Sequence, residues 1–402
     1  MNILWGLMGI VFVLFLAFLL SSRKKSIRFR PVLVGLLFQL VFAFLVLGSP
    51  WGSSLFEGLV RAVQAVIDTA SEGYIFLFGE DITETGAFAF TVLPVIIFFS
   101  SLIGILYYVG VMQVIIKFIG GVLSALLKTS KAESMSAAAN VFVGQTEAPL
   151  VVRPFLPNMT KSELFAVMTG GLGSVAGSVL FGYAGLGIPL DYLLAASFMA
   201  APGGLIIAKV IFPEPDLSLT TDEIKVEKDT ESHNVIDAAA RGASTGLQLA
   251  LNVGAMLIAF VALIALVNLL LGAIFGLFGA DGITLELLLG YVFAPVAFMI
   301  GVPWSEALQA GGFIGQKLIL NEFVAYANFA PEIDSFSEKS QAIITFALCG
   351  FANLSSLAII LGGFASLAPT RRNDIAQMGL KAVAAGALVS LLSASIAGMF
   401  VL

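Results

Sequence analysis

Cysteine and histidine are almost absent from this sequence. Its 402 residues include one cysteine, Cys349, and one histidine, His233. A single cysteine cannot form an internal disulfide, and the histidine lies in a polar stretch far from any apolar run, so a disulfide scaffold and a Cys/His metal site are both excluded. The net charge of −6 provides no basic surface for a phosphate backbone, which argues against nucleic acid as a partner.

Charge is also scarce. Only 11% of the residues are charged and 59% are hydrophobic, whereas a soluble domain is about a quarter charged and about half apolar. A bilayer core of about 30 Å requires roughly 20 apolar residues per helix, and uncharged stretches of that length recur along the chain. Runs such as residues 247–278 are continuous rather than alternating, which excludes a transmembrane barrel. The sequence therefore predicts an all-α polytopic membrane protein.

The apolar runs predict about eight transmembrane helices. They cover residues 3–20, 31–47, 87–109, 163–183, 189–211, 246–278, 342–367 and 376–401. An amphipathic stretch at residues 54–71 indicates an interfacial helix, and residues 213–237 form a polar linker. The basic cluster at residues 23–30 follows the first run. This order is typical of a retained first helix and predicts a cytoplasmic loop with both chain termini outside.

Two further segments are apolar at both ends but polar in the middle. Residues 136–157 carry lysines on both flanks, Lys131 and Lys161. These lysines predict that both ends are cytoplasmic, so that the chain enters the membrane partway and returns. Residues 304–329 repeat the pattern, but with acidic residues on both flanks. We therefore expect two re-entrant hairpins that enter from opposite faces.

Each hairpin is followed by an apolar run that is interrupted by small residues, at residues 170–178 and 349–356, and then by an intact run. This order predicts an inverted repeat, whose site lies near the bilayer midplane between the two halves. Close helix packing is the alternative explanation of the glycines. The chain is thus divided into scaffold helices (residues 1–131), the first repeat of a transport domain (132–212), a cytoplasmic linker (213–245), a scaffold helix with an interfacial helix (246–300) and the second repeat (301–402).

Two glutamates, Glu147 and Glu322, occupy matching places in the two predicted hairpins. A carboxylate at membrane depth is costly unless it faces protein or water, so an ionisable group there indicates a functional site by default. A structural ion pair between Glu147 and Arg153 is the alternative interpretation. Lys317 precedes Glu322 by five residues, and its side chain could simply extend to the membrane surface.

Three motifs resemble those of a known family. The segment GQTEAPL at residues 144–150 resembles the first-hairpin signature of the concentrative nucleoside transporters, and NEFVAY at residues 321–326 resembles the second. The segment GFANLSS at residues 350–356 is similar to the second unwound helix of that family. The order of elements is similar over nearly the whole chain. The chain lacks the long terminal extensions of animal members, which suggests a protein of the bacterial inner membrane.

The resemblance implies a set of site residues and a mechanism. Nucleoside-binding residues would be Gln145, Thr146, Glu147, Val179, Glu322, Phe351, Asn353 and Ser356. A Na⁺ site would be formed by Asn140, Val143, Ser174 and Val175. Family members are homotrimers in which a transport unit slides against a fixed scaffold. Some couple to protons instead, but the neutral oxygen donors of Asn140 and Ser174 favour Na⁺ here.

The residues give less support to other classes of function. A serine protease of the membrane would need a histidine or lysine beside the serine, and a di-aspartate protease would need two intramembrane aspartates. The only histidine lies in the linker and the acids at membrane depth are glutamates, so we do not expect an enzyme. No phosphate-binding loop of the Gly-x-x-x-x-Gly-Lys-Ser/Thr type is present, which argues against direct coupling to a nucleotide. A channel lined by the hairpins remains an alternative to a carrier.

Overall fold

The computed structural model describes residues 2–214, 231–280 and 282–401, and these residues form helices and no strand. The first third of the chain contains α1 (Asn2–Leu19), α2 (Phe29–Ala43), α3 (Pro50–Phe78), α4 (Glu80–Thr83), α5 (Phe88–Thr91), α6 (Leu93–Val109) and α7 (Val111–Leu127). A short 3₁₀ turn at Lys24–Ser26 precedes α2, and a π-helical turn at Phe44–Gly48 follows it. The predicted interfacial helix is longer than expected, since Ser49 caps α3 through a bond to the backbone of Gly52.

The first repeat contains α8 (Lys131–Ala139), the 3₁₀ segment Ala148–Asn158, α9 (Lys161–Gly173), α10 (Gly177–Gly185) and α11 (Leu190–Ile211). Ser130 and Thr160 each form a capping box, which fixes where α8 and α9 begin. The return arm of the hairpin is a 3₁₀ segment rather than an α-helix because Pro154 and Pro157 lie inside it and lack the amide hydrogen that an α-helix requires.

The second half contains α12 (Val235–Gly276), α13 (Leu285–Met299), α14 (Trp304–Ile319), α15 (Glu322–Phe329), α16 (Glu338–Leu348), α17 (Leu354–Leu367) and α18 (Arg372–Ala397), with 3₁₀ turns at Ala330–Ser335 and Pro369–Arg371. Helices α14 and α15 form the second hairpin, and α16 and α17 form the second broken helix. The order of elements predicted from the sequence is therefore present in both halves, as an all-α fold with two re-entrant hairpins and two broken helices.

Seven stretches of the described chain are long and apolar enough to cross a membrane: Asn2–Leu19, Phe29–Gly48, Phe88–Val109, Lys161–Gly185, Leu190–Ile211, Val235–Gly276 and Pro369–Ala397. Helices α13 and α14 would add an eighth if counted as one span, but they meet at a bend of 117°. The predicted span at residues 342–367 is divided into α16 and α17, of 11 and 14 residues, so that neither half crosses a bilayer alone.

The predicted linker at residues 213–245 is too long. Helix α12 begins at Val235 because the side chain of Asn234 accepts a hydrogen bond from the backbone amide of Asp237 and so caps it. The predicted span that began at residue 246 therefore begins eleven residues earlier. The acidic middle of the predicted linker, residues 215–230, lies outside the described residues.

The two repeats form the buried core. Nearly all residues of α9 and α11 are buried, and α18 packs against α9, α11 and α16. Helix α1 packs on α18, and α2 packs on α11. By contrast, α12 exposes most of its surface and packs along α6, where Gly242 and Gly246 approach Ser100 so closely that a Cβ at either position would lie under 3 Å from it. The α6–α12 pair therefore forms a layer beside the core, which it contacts through α6 and α10.

Candidate functional site

A cavity of about 570 Å³ lies where the tips of both hairpins meet the breaks of both interrupted helices. All eight residues to which the resemblance gave a nucleoside-binding role line it: Gln145, Thr146, Glu147, Val179, Glu322, Phe351, Asn353 and Ser356. Residues that are up to 211 positions apart in sequence are thus brought to one place. The two acidic hairpin tips, with Glu147 and Glu322, therefore line the same cavity.

The first tip is a tight turn that displays polar groups to the cavity. A carboxylate oxygen of Glu147, Oε2, accepts a hydrogen bond from the backbone amide of Gly144 at 3.0 Å, which closes the turn. Gln145 is buried, and its Nε2 donates to Oγ of Ser356 at 3.4 Å. Its Oε1 has no partner among the described residues. The alternative ion pair between Glu147 and Arg153 is not among the ion pairs of the described chain.

The second tip holds a carboxylate by both of its oxygens. Glu322 is only 5% exposed. Its Oε1 accepts a hydrogen bond from the hydroxyl of Tyr183 at 3.2 Å, and its Oε2 accepts one from Nδ2 of Asn353 at 3.0 Å. The side chain of Asn321 caps α15 by accepting from the amide of Val324 and so fixes where Glu322 lies at the helix start.

Asn353 is oriented by its own neighbours. Its Oδ1 accepts from the backbone amide of Ser356 at 2.8 Å, as the N-cap of α17, and from the hydroxyl of Ser355 at 2.7 Å. The amide nitrogen of Asn353 is therefore the end that faces Glu322. Together these contacts leave a buried carboxylate with two fixed neutral donors and a remaining capacity to accept from hydroxyl groups in the cavity.

The two helix breaks contact each other. The backbone amide of Phe351 donates to the carbonyl oxygen of Ser174 at 3.0 Å, and the amide of Gly177 donates to the carbonyl of Phe142 in the first hairpin at 3.0 Å. At Gly350 an added Cβ would lie 2.7 Å from Oγ of Ser390 and 3.2 Å from the carbonyl oxygen of Gly173. Glycine is thus required for this close crossing, so at Gly350 close packing explains the residue, whereas Phe351 and Asn353 of the same break line the cavity.

Two of the residues predicted to hold Na⁺, Asn140 and Ser174, lie beside the same residue, Gly170 of α9. Asn140 is buried, its Nδ2 donates to the carbonyl of Ser136 at 2.9 Å, and its Oδ1 has no partner in the described chain. The hydroxyl of Ser174 donates to the carbonyl of Gly170 at 2.8 Å, and Asn140 lies against that same glycine. Val143 and Val175 are also buried. An unpaired buried carbonyl oxygen beside the C-terminal end of α9 fits a small hard cation.

Several residues at the site were missed in the sequence. Tyr183 gave no signal, because its contact with Glu322 joins residues that are 139 positions apart. Thr169, which precedes the glycine beside Asn140, has a buried hydroxyl without a partner among the described residues. The α6–α12 layer also contributes polar side chains to the cavity wall, those of Ser100, Thr245 and Asn252. No motif marked these positions.

This architecture, an inverted repeat of hairpins and broken helices around a polar cavity inside an apolar helical fold, defines a multi-pass membrane transporter. Three family models match the chain in succession: "Na+ dependent nucleoside transporter N-terminus" at residues 8–81, "Nucleoside recognition" at 89–190 and "Na+ dependent nucleoside transporter C-terminus" at 192–398. The chain belongs to the concentrative nucleoside transporter family, as the three motifs predicted.

Individual relatives agree with this assignment. The nucleoside permease NupC of Helicobacter pylori is 48% identical over 411 residues, which cover 99% of this chain and 98% of that protein. Human solute carrier family 28 member 3 is 39% identical over 97% of this chain and 59% of that protein. These relatives are a permease and a carrier, which confirms the expectation that the chain is not an enzyme.

Solved structures match over the full length. The structure of CNTnw in an inward-facing substrate-bound state has a TM-score of 0.94 and 51% sequence identity, with 100% of this chain and 98% of that chain covered. A substituted variant of CNTnw in an outward-facing state has the same TM-score, identity and coverage. The fold is therefore shared with a transporter that adopts both inward-facing and outward-facing states.

Proposed function

We propose that this protein imports nucleosides by cation symport, with Na⁺ as the coupling ion. The observation that carries the proposal is the cavity that Glu147 and Glu322 line together with residues of two unwound helices. An inverted repeat with a polar site at the crossing of its broken helices is the arrangement of secondary transporters that work by alternating access. The family models and the substrate-bound CNTnw structure support nucleosides as the substrate class.

The donor and acceptor pattern of the cavity suits a nucleoside. The carboxylate of Glu322, fixed by Tyr183 and Asn353, can accept bonds from both ribose hydroxyls, and charge-assisted bonds of this kind are the stronger ones. The unpaired Oε1 of Gln145 can accept from a donor on the base edge. Val179 and Phe351 supply apolar walls for the rings. Glu147 and Thr146 complete the polar side at the first tip.

The coupling ion would be held by the side chains of Asn140 and Ser174 and by the backbone carbonyls of Val143 and Val175. A bound Na⁺ supplies positive charge at the C-terminal end of α9, where the helix dipole is negative. The unpaired Oδ1 of Asn140 supports this assignment. Proton coupling is the competing proposal, and the flux experiment below separates the two.

We further propose an elevator mechanism in a homotrimer of the bacterial inner membrane, with both chain termini outside. The two repeats would move as a unit against a scaffold. Helix packing restricts which of the helices predicted as scaffold belong to it. Residues 1–131 include α1 and α2, which pack on α18 and α11 of the repeats, whereas α6 and α12 pack chiefly on each other and touch α10 and α15 of the repeats less extensively. We therefore assign the scaffold to the α6–α12 layer and place α1 and α2 with the moving unit.

Flux into proteoliposomes tests the proposal. Radiolabelled uridine should accumulate only with an inward Na⁺ gradient, and saturation with uridine would separate a carrier from a channel. Accumulation driven by a pH gradient in the absence of Na⁺ would assign the coupling to protons. Uridine entry that needs neither gradient, or no entry at all, would refute the symport proposal.

A further inference from the structure

The second repeat contains a buried positive charge that the proposed transport cycle does not use. Lys317 lies in the last turn of α14, on the first arm of the second hairpin, and its side chain is 1% exposed. Its ammonium therefore does not extend to the membrane surface, which was one interpretation of the sequence. None of the ion pairs in the described chain includes Lys317. An unpaired buried charge is costly, so its surroundings need a physical explanation.

Oxygen atoms around the second helix break surround this ammonium. Nζ of Lys317 donates to the carbonyl of Ala347 at 2.8 Å and to the hydroxyl of Ser390 at 2.9 Å. Ser390 in turn donates to the carbonyl of Cys349 at 3.0 Å. Ala347 and Cys349 flank the end of α16, where helix carbonyls lack partners and the dipole is negative. The ammonium thus occupies the kind of place in which a small cation binds.

The first repeat presents the same arrangement without the charge. There the end of the first hairpin arm carries Asn140, whose neutral side chain lies against Gly170 in the last turn of α9. Its Oδ1 is left unpaired in the described chain. In each repeat, therefore, a side chain from the first hairpin arm reaches the C-terminal turn of the following half-helix. In the first repeat this side chain is a neutral amide with an unpaired oxygen, and in the second it is a cation.

We propose that Lys317 is the permanent cation of the second repeat. Its ammonium occupies the oxygen-lined place at the second break, so that only the first break takes an exchangeable ion, and one ion is coupled to each nucleoside. This inference rests on the proposed Na⁺ coupling. Lys317 does not touch the nucleoside in this scheme. It is a residue that sets ion stoichiometry.

The variant Lys317→Gln tests the proposal because it removes the charge and leaves an amide oxygen, as Asn140 does in the first repeat. Together with Ala347, Cys349 and Ser390 it would complete a neutral oxygen site. The matched control is Lys339→Gln, at the other end of α16, where the ammonium contacts the ring of Trp5. Equilibrium binding of ²²Na⁺ to the purified full-length protein, with thermal unfolding at a series of Na⁺ concentrations, provides readouts that do not depend on transport.

We expect about one Na⁺ per protomer in the wild type and in Lys339→Gln, and about two in Lys317→Gln, with a matching rise in the ratio of Na⁺ to uridine taken up. One bound ion in a folded Lys317→Gln protein would overturn the inference while leaving the symport proposal intact. No bound ion in the wild type would refute Na⁺ coupling itself, and this inference with it. If Lys317→Gln unfolds in Na⁺-free buffer, recovery of folding by added Na⁺ supports the inference, and failure to recover at any concentration overturns it.

Discussion

The substitution Glu322→Gln tests the assignment of ribose recognition most directly. In the structure the two carboxylate oxygens face two different donors, the hydroxyl of Tyr183 and the amide nitrogen of Asn353. The oxygen of Asn353 is already bonded to the amide of Ser356, so its nitrogen must continue to face position 322. The introduced amide must therefore turn its oxygen toward Asn353 and its nitrogen toward Tyr183, whose hydroxyl can accept. The fold should be retained, because Tyr183 and Asn353 each keep one hydrogen bond to position 322.

The expected magnitude follows from the charge that is lost. A hydrogen bond to an ionised group contributes about 1.5–3 kcal/mol and a neutral one about 0.5–1.5 kcal/mol. Each of the two ribose hydroxyls would thus lose about 1–1.5 kcal/mol, or about 2–3 kcal/mol in all, which weakens the Kd by about 30- to 150-fold. A nucleoside that lacks both hydroxyls should lose much less.

Calorimetric titration of the purified variant with uridine and with 2′,3′-dideoxyuridine measures this difference. The control is Glu286→Gln, since Glu286 also accepts from an amide nitrogen, that of Asn268 at 3.0 Å, but does not line the cavity between the hairpin tips. Combining Glu322→Gln with Tyr183→Phe shows whether the two side chains act as a unit, because their effects should then fail to add. Equal losses for both ligands would refute the reasoning, as would an unchanged uridine Kd.

Two further predictions concern the ion and the fold. Asn140→Ala removes the unpaired buried oxygen and should raise the Na⁺ concentration for half-maximal uridine uptake by about tenfold, which corresponds to a loss of about 1.4 kcal/mol. The melting temperature should be retained. An unchanged Na⁺ dependence would place the ion elsewhere. Lys209→Met leaves Glu133, which it meets at 2.6 Å, as an unpaired buried carboxylate and should destabilise the protein by about 3–5 kcal/mol, seen as a lower melting temperature. Glu133→Gln in the same chain should restore much of that loss, and a single variant as stable as the wild type would contradict the prediction.

The large elements of this fold could be predicted because each rests on local chemistry. Glycine runs and polar residues within apolar stretches located both helix breaks and both hairpin tips. The exact ends of the helices depend on local capping residues, and these ends were predicted less well. Asn234 starts α12 earlier than hydrophobicity alone suggested, and Pro154 and Pro157 make the return arm of the first hairpin a 3₁₀ segment.

The candidate site was only partly predictable. Motif residues such as Glu322 and Asn353 were expected at the cavity, and the structure places them there. The hydroxyl of Tyr183 and the cation of Lys317 could not be assigned, because what each touches depends on helix crossings between distant segments. A tyrosine or lysine in an apolar run has the same local pattern whether it faces lipid, a carboxylate or a helix end.

The length of α12 has a mechanical consequence. Its 42 residues extend about 63 Å at 1.5 Å per residue, twice the thickness of a hydrocarbon core of about 30 Å. Its polar contributions to the pocket, Thr245 and Asn252, lie in the first half, and residues 253–267 include no polar side chain. A pocket displaced along α12 would still be covered by this helix, but the surface that covers it would be apolar. A solute in the displaced pocket would find no hydrogen-bonding partner on this part of α12 and would therefore stay bound to the moving unit.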